Sequence, residues 1–326
     1  MIITRTPLRI SIGGGGTDLP SYYSRFGGYV ISGAISQYVF VSLNRMFSEG
    51  YLLKYSSLER VNSVDEIAHP IFREVLRRHN TEGSIEIASM ADVPAGTGLG
   101  SSGTFTVGLL RALYAYKREF ISTAALAEAA CDIEINVLGQ PLGKQDQYIA
   151  AFGGLSCFDF ATDGSVTVTP LNISNHTLLD LEHNLLMFFT GYSRNATSVL
   201  ADQRDRTNSS DQAMIENLHF VKRLGQSVKQ ALESGDTNRF AALMREHWEI
   251  KRTRSGDMSN SRIDHLYSVA MSNGALGGKL VGAGGGGFLL FFAEDPMRLR
   301  RAMAGEGLSE LRFRFDHDGS TVLVRD

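Results

Sequence analysis

The sequence predicts an α+β protein of two domains meeting near residue 182. Three observations carry that expectation. A length of 326 residues is about twice that of a common single domain. The first part of the chain is dominated by alternating, strand-like segments, whereas the second reads strand, helices, strands. No Pro-rich linker, repeat or low-complexity tract separates the two parts, so close packing between residues 1–182 and 183–326 is expected.

Composition narrows the class. With 43% hydrophobic and 21% charged residues and a net charge of −3, the chain has the balance of a globular protein, not of a disordered segment or a polybasic nucleic-acid binder. Its two cysteines, Cys131 and Cys157, supply neither a disulfide framework nor a zinc spacing. Met1 is not followed by a charged and then apolar leader, and both features point to a reducing, cytoplasmic compartment.

The elements follow in order. Phe26 to Asn44 is an uncharged run of 19 residues, long enough to cross a membrane. It carries Gly27, Gly28, Ser32, Gly33 and Ser36, and Tyr38, Phe40 and Ser42 alternate with Val39, Val41 and Leu43, so we read two strands with a bend. Ile85 and Ile87 form a short strand before a loop from Pro94 to Gly103. Phe105, Leu109, Leu113 and Tyr116 then recur at helical spacing. A helix is expected over Ser122 to Leu138, and a hairpin over Leu155 to Leu171 turning at Asp163-Gly164. After the strand Asn184 to Thr190 come three amphipathic helices, marked by Ile215 to Val228, Phe240 to Trp248 and Ile263 to Met271. A strand at Phe288 to Phe292, a short helix near Asp295 to Met303 and two terminal strands about Asp318-Gly319 close the chain.

Glycine is the compositional outlier, at 34 residues or about 10% against a usual 7%. The excess gathers at Gly13 to Gly16, Gly96 to Gly103 and Gly282 to Gly287. The middle cluster, Pro94-Ala-Gly-Thr-Gly-Leu-Gly-Ser-Ser-Gly-Thr104, opens a helix, where free amides and the positive end of the helix dipole attract phosphate. Walker A fails because no lysine precedes Ser101. The Rossmann pattern matches formally at Gly98, Gly100 and Gly103 with Glu119 beyond, but Glu119 lies in a polar stretch and no βαβ series follows. A plain glycine turn with Ser101 as helix cap stays open on this loop alone. The first cluster alone is better explained as a turn. The third holds more glycine than a hairpin needs, which suggests close backbone approach to something. No Gly-x-Ser-x-Gly elbow occurs, and the eight histidines show no metal-ligand spacing.

Taken together, the Pro-x-x-x-Gly-Leu-Gly-Ser-Ser loop and the late Gly-Ala-Gly-Gly-Gly-Gly loop resemble those of the GHMP small-molecule kinases. Thr6-Pro-Leu-Arg-Ile-Ser, Gly14-Gly-Gly-Thr-Asp-Leu-Pro-Ser-Tyr-Tyr23 and Gly143-Lys-Gln-Asp-Gln-Tyr148 are most similar to the branch acting on D-glycero-D-manno-heptose 7-phosphate. The resemblance runs from Arg5 to His317. It implies an N-terminal domain like domain 2 of a small-subunit ribosomal protein and a ferredoxin-like C-terminal domain, with ATP and Mg²⁺ in the cleft between them.

It also implies roles. Pro94, Gly96, Thr97, Gly98, Leu99, Gly100, Ser101, Ser102, Gly103 and Thr104 would cradle the nucleotide phosphates, with Ser102 and Glu134 on the metal. Glu134 stands five residues before Gly139 in Gly139-Gln-Pro141, as the family's metal-binding Glu does. Asp146 aligns with the catalytic aspartate, which takes the proton of the acceptor hydroxyl, and Arg9 with the basic residue beside it. Gly15, Gly16, Thr17, Asp18, Gly284 and Gly285 would line the acceptor. Gly103 replaces an alanine common in the wider family, and one extra residue lies between Pro141 and Asp146 relative to mevalonate kinase; both fit the sugar-phosphate branch.

A phosphorylated acceptor needs cations at its far end, and Lys144 and Arg194 are the preferred candidates. The Lys251-Arg-Thr-Arg254 group is explained by helix-end electrostatics alone. The expected reaction is transfer from ATP to the anomeric hydroxyl of the heptose 7-phosphate, with no nucleic-acid or membrane partner. A kinase of a free sugar is the alternative within the family, and a Rossmann-type nicotinamide dehydrogenase the alternative outside it.

Overall fold

The computed structural model describes residues 1–81, 83–191, 196–255 and 258–325. The chain begins with β1 (Ile2–Gly13), α1 (Pro20–Phe26), β2 (Gly28–Arg45), β3 (Tyr51–Lys54), β4 (Leu58–Val61), α2 (Pro70–Arg78) and β5 (Ile85–Ala91). It continues through α3 (Ser101–Lys117), α4 (Thr123–Cys131), α5 (Gln145–Phe152) and the hairpin β6 (Leu155–Phe160) and β7 (Val166–Pro170). There follow α6 (Asn175–Asn184), β8 (Leu185–Phe189), α7 (Ala196–Asn208), α8 (Gln212–Glu233), α9 (Thr237–Lys251) and α10 (Ser261–Ser272). Last come β9 (Ala275–Leu280), β10 (Phe288–Ala293), α11 (Pro296–Gly305), β11 (Ser309–Leu311) and β12 (Thr321–Arg325).

Two sheets result. The first is ordered β12-β1-β2-β5-β3-β4, with β6 on β2 and β7 on β6; the second is β11-β8-β10-β9. The apolar run that could have spanned a membrane is one strand, β2, where two were expected. Its first half pairs with β6 and its second half with β5. The expected bend survives as a register shift, where Pro7 faces Tyr38 but Leu8 faces Ile35. No helix among the described residues is long and apolar enough to cross a membrane.

Both faces of β10 are buried, and its alternation shows how the sheets share a core. Phe288, Leu290 and Phe292 join the large cluster that reaches Leu224 and Val228 of α8 and Phe240 of α9. Leu289, Phe291 and Ala293 face the smaller cluster of Trp248, Leu266 and Leu299. Each such aromatic or aliphatic side chain contributes roughly 1.5 to 3 kcal/mol by burial. The apolar stripe of α8, capped by the Asp211 carboxylate at 3.1 Å from the Met214 amide, lies against β1 and β2.

The chain's end departs from expectation. The two terminal strands do not pair around Asp318-Gly319: β11 joins the second sheet and β12 crosses back to β1. Asp316 directs this by accepting the amides of Asp318 and Gly319 at 3.1 and 2.9 Å, while Arg5 holds Asp318 at 2.9 Å. A boundary at residue 182 therefore falls within α6, and the last strand lies with the first sheet.

Candidate active site

Between the sheets lies a cavity of about 640 Å³, within the size range of small-molecule sites. Gly96, Gly98, Gly100, Ser101, Ser102 and Gly103 form part of its wall. Left-handed backbone at Gly96, Gly98 and Gly100 folds the loop tightly ahead of α3. That helix starts without a side-chain cap, because Gly100 occupies the cap position, so the alternative of Ser101 as a helix cap does not hold. The amides of the first turn have no acceptor within the helix, and Ser101 Oγ is buried without a hydrogen-bond partner among the described residues. An anion accepting from this turn would satisfy both.

Pro94, Thr97, Leu99 and Thr104 support the loop from behind and do not line the cavity. Thr97 Oγ1 donates to the Pro94 carbonyl at 3.0 Å, Thr104 Oγ1 to that of Pro7 at 3.1 Å, and the Leu99 carbonyl accepts the Arg9 amide at 3.0 Å. Gly103 is fixed by neighbours: a Cβ there would lie 2.9 Å from that of Asp146, so only glycine lets α3 and α5 meet this closely.

That approach delivers Asp146 to the loop. Arg9 Nε donates to Asp146 Oδ1 at 2.7 Å, and Arg9 Nη1 donates to the Gly98 carbonyl. The guanidinium thus ties the carboxylate to the phosphate loop and holds its orientation. On the other side of α3, α4 runs into a π-helical turn, Asp132–Val137, in place of the single α-helix expected to Leu138. This turn carries Glu134, fully buried, which accepts from Ser102 Oγ and from Gln147 Nε2 at 2.8 Å. Burial, with the hydrogen bonds of Ser102 and Gln147 opposing it, pushes the Glu134 carboxyl up to about 7. Ser102 and Glu134 are hard oxygen donors of the kind Mg²⁺ takes. Among the described residues no group of three or more His, Cys, Asp or Glu gathers, so a cation held here would complete its shell with phosphates and water.

Close to Asp146 on the cavity wall is Asp18, accepting the Gly16 amide at 3.0 Å and the Gln145 amide at 3.2 Å. Burial, then the charge of Asp146, raises its pKa. Gly15 and Gly16 line the same wall, while Thr17 turns inward, bonding the carbonyls of Gly14 and Tyr29.

Besides Thr17, three of the expected acceptor residues, Lys144, Gly284 and Gly285, do not line the cavity. Lys144 points away, with Nζ paired to Glu128 at 2.8 Å and donating to the Gly164 carbonyl at 2.7 Å. Gly284 and Gly285 pack on Met258; a Cβ on Gly284 would lie 2.2 Å from its sulfur, and the Gly285 amide donates to its carbonyl at 3.1 Å. Arg194 lies outside the described residues. The part of the third glycine loop that reaches the cavity is Gly282 and Ala283. Its close approach is to the phosphate loop itself, since a Cβ on Gly282 would meet Gly98 Cα at 2.6 Å.

Two groups of cavity residues were missed or dismissed. One is a cationic cluster of Lys251, Arg254 and Lys279 with His247. Helix-end electrostatics does not account for Lys251 and Arg254, because both are buried. Lys251 follows His247 by four residues on the buried face of α9, whereas Arg254 lies beyond the helix and carries no such period. Burial, then Arg9 and Arg254, lowers Lys279 to about 7, and burial lowers Arg254 to about 10. The other group is an aromatic end beyond the phosphate loop, where His69 meets Tyr55 and Phe105 edge-on at 4.9 and 5.5 Å between centroids, beside Val39 and Val93.

Comparison with known proteins agrees with this arrangement. Residues 64–154 match the model of the GHMP kinases N-terminal domain and residues 228–306 that of the GHMP kinases C-terminal domain. The D-glycero-alpha-D-manno-heptose 7-phosphate kinase of Campylobacter jejuni is 31% identical over 91% of this chain and 90% of its own. A galactokinase of Thermococcus kodakarensis is 25% identical over 89% of this chain and 88% of its own. The crystal structure of a D-glycero-D-manno-heptose 1-phosphate kinase from Bacteroides thetaiotaomicron superposes with a TM-score of 0.81 at 27% identity, over 99% of each chain. With the phosphate loop, its opposed aspartate and both domain models in place along one chain, the protein belongs to the GHMP kinases and is an ATP-dependent phosphotransferase.

Proposed function

We propose that this chain transfers the γ-phosphoryl group of ATP to the anomeric hydroxyl of D-glycero-D-manno-heptose 7-phosphate, giving the 1,7-bisphosphate and ADP. The observation that carries the reading is the Arg9–Asp146 pair, set at 2.7 Å against the phosphate loop, with a buried cationic wall in the same cavity.

The adenine base fits the aromatic end at Tyr55, His69 and Phe105, and the phosphates fit the amides of Ser101, Ser102 and Gly103. Asp146 accepts the proton of the anomeric hydroxyl as that oxygen bonds to the γ-phosphorus and the bond to the β-phosphate oxygen breaks. Arg9 holds Asp146 in position for this, and Asp18 receives sugar hydroxyls. Mg²⁺ held by Ser102 and Glu134 would neutralise phosphate charge. We place the enzyme in the cytoplasm, its product feeding nucleotide-activated heptose for surface polysaccharide.

ADP release tests this reading, with heptose 7-phosphate, free heptose, fucose, galactose and mannose as acceptors. Turnover confined to the phosphorylated heptose supports it. Turnover on a free sugar moves the assignment to the fucokinase or galactokinase kind.

A further inference from the structure

The cavity holds more buried positive charge than the phosphate loop and base require. Arg254, Lys251 and Lys279 are 5%, 6% and 2% exposed, and Arg9 lies among them at 4%. Two carboxylates line the cavity among the described residues: Asp146, taken by Arg9, and Asp18, which accepts the Gly16 and Gln145 amides and whose charge favours the Arg254 guanidinium. Buried charges of one sign are costly unless an opposite charge meets them. Two nitrogen atoms in this cluster, Arg254 Nη2 and His247 Nε2, are buried and have no hydrogen-bond partner among the described residues.

The cluster is graded along the cavity. Lys251 donates to the carbonyls of Leu280 and Gly282, and Gly282 packs on Gly98, so Lys251 sits toward the phosphate loop. Lys279 donates to the Ile12 carbonyl at 2.8 Å and faces His247 Nδ1 at 3.3 Å. Arg254 is farthest along. Its Nε donates to Asn217 Oδ1 at 3.1 Å and its Nη1 to Gln203 Oε1 at 3.1 Å, while Gln203 Nε2 donates to the Gly16 carbonyl at 2.8 Å. These partners belong to α7, α8 and the turn that presents Asp18, none of them to the phosphate loop. The amides of Asn217 and Gln203 and the Gly15 carbonyl, at 3.5 Å from Nη1, hold the guanidinium and leave Nη2 without a partner among the described residues, which is how an arginine is set for an incoming anion.

We propose that Arg254, backed by Lys279, is the receptor for the phosphate that the acceptor already carries, and that it sets the preference for phosphorylated over free sugar. The assignment rests on an acceptor bearing a phosphate. It replaces Lys144, whose ammonium is saturated by Glu128 and the Gly164 carbonyl.

The test is the ratio of kcat/KM for heptose 7-phosphate to that for free heptose, measured in the wild type, Arg254→Met, Arg254→Lys and Lys279→Met, together with KM for ATP. Loss of a charge-assisted contact predicts that the ratio falls on the order of 100-fold in Arg254→Met. Arg254→Lys should recover part of the ratio by restoring charge, and Lys279→Met should lower it less. An equal loss on both sugars, or a raised KM for ATP with the ratio unmoved, overturns the proposal. Should Arg254→Met not fold, Arg254→Lys and Lys279→Met decide it by the same ratio. A wild type that prefers the free sugar overturns both this assignment and the functional reading, whereas a failure of the receptor alone appears only in the variants.

Discussion

At the scale of single residues, the site depends on charges placed where water does not reach. Lys279 shows the consequence. Its ammonium is buried among Arg9, Arg254, Lys251 and His247, and burial with Arg9 and Arg254 lowers its pKa from an ordinary 10.5 to about 7. The unfolded chain therefore binds more protons than the folded one between about 7 and 10.5, so this residue makes stability rise with pH across that window and fall as pH drops toward 7. A bound phosphate reverses the preference by favouring the ammonium. Acceptor binding at pH 8 should then take up protons, seen as a binding enthalpy that varies with the buffer's ionisation enthalpy, and Lys279→Met should reduce that uptake. Asp146→Asn should lower kcat by at least about 100-fold, the usual worth of a positioned base, with nucleotide affinity retained. Equal turnover in that variant would remove Asp146 as the base.

At the scale of elements, two glycine loops from different sheets lock together, and the packing is backbone on backbone. Gly282, with φ of 76°, sits where a Cβ would come within 2.6 Å of both Cα and the carbonyl oxygen of Gly98. Gly282→Ala should cost roughly 2 kcal/mol or more from strain and overlap, lowering Tm by several degrees and raising KM for ATP. Gly305, at the end of α11, has open space around its Cβ position and no positive φ; Gly305→Ala should leave Tm unchanged or raise it slightly. Thermal unfolding of the two variants side by side checks the contrast. Elements with strong periodicity were legible from sequence, among them the stripes of α8, α9 and α10 and the hairpin of β6 and β7, and β10 was legible as a short unbroken apolar run. Short or polar elements were not. The segment of α7 reads ATSVLADQRDRTN, with too few apolar residues to show a period, yet it brings Leu200 and Gln203 to the cavity. The π-helical turn that buries Glu134 leaves the 3.6-residue rhythm, so its residue was legible only from the spacing to Gly139-Gln-Pro141.

At the scale of the whole molecule, the site is assembled from parts that lie far apart in sequence. Arg9 comes from β1, Ser102 from α3, Asp146 from α5, Gln203 from α7, Arg254 from the segment after α9 and Lys279 from β9. The glycine loop and the Gly-Lys-Gln-Asp segment carry local motifs and could be found in the sequence. Lys251, Arg254 and Lys279 carry none: they become a cluster only when the second sheet closes on the first, and a basic pair near a helix end reads as solvated until its burial is known. Tyr55, His69 and Phe105 are hidden for the same reason, since three separated segments meet there. The most direct measurement is phosphorus NMR of the product formed from ATP and heptose 7-phosphate by the wild type and by Asp146→Asn in parallel. A second phosphate coupled to the anomeric proton in the wild-type product, and none in that of the variant, is the predicted result; a phosphate on another carbon, or equal product from both proteins, would contradict it.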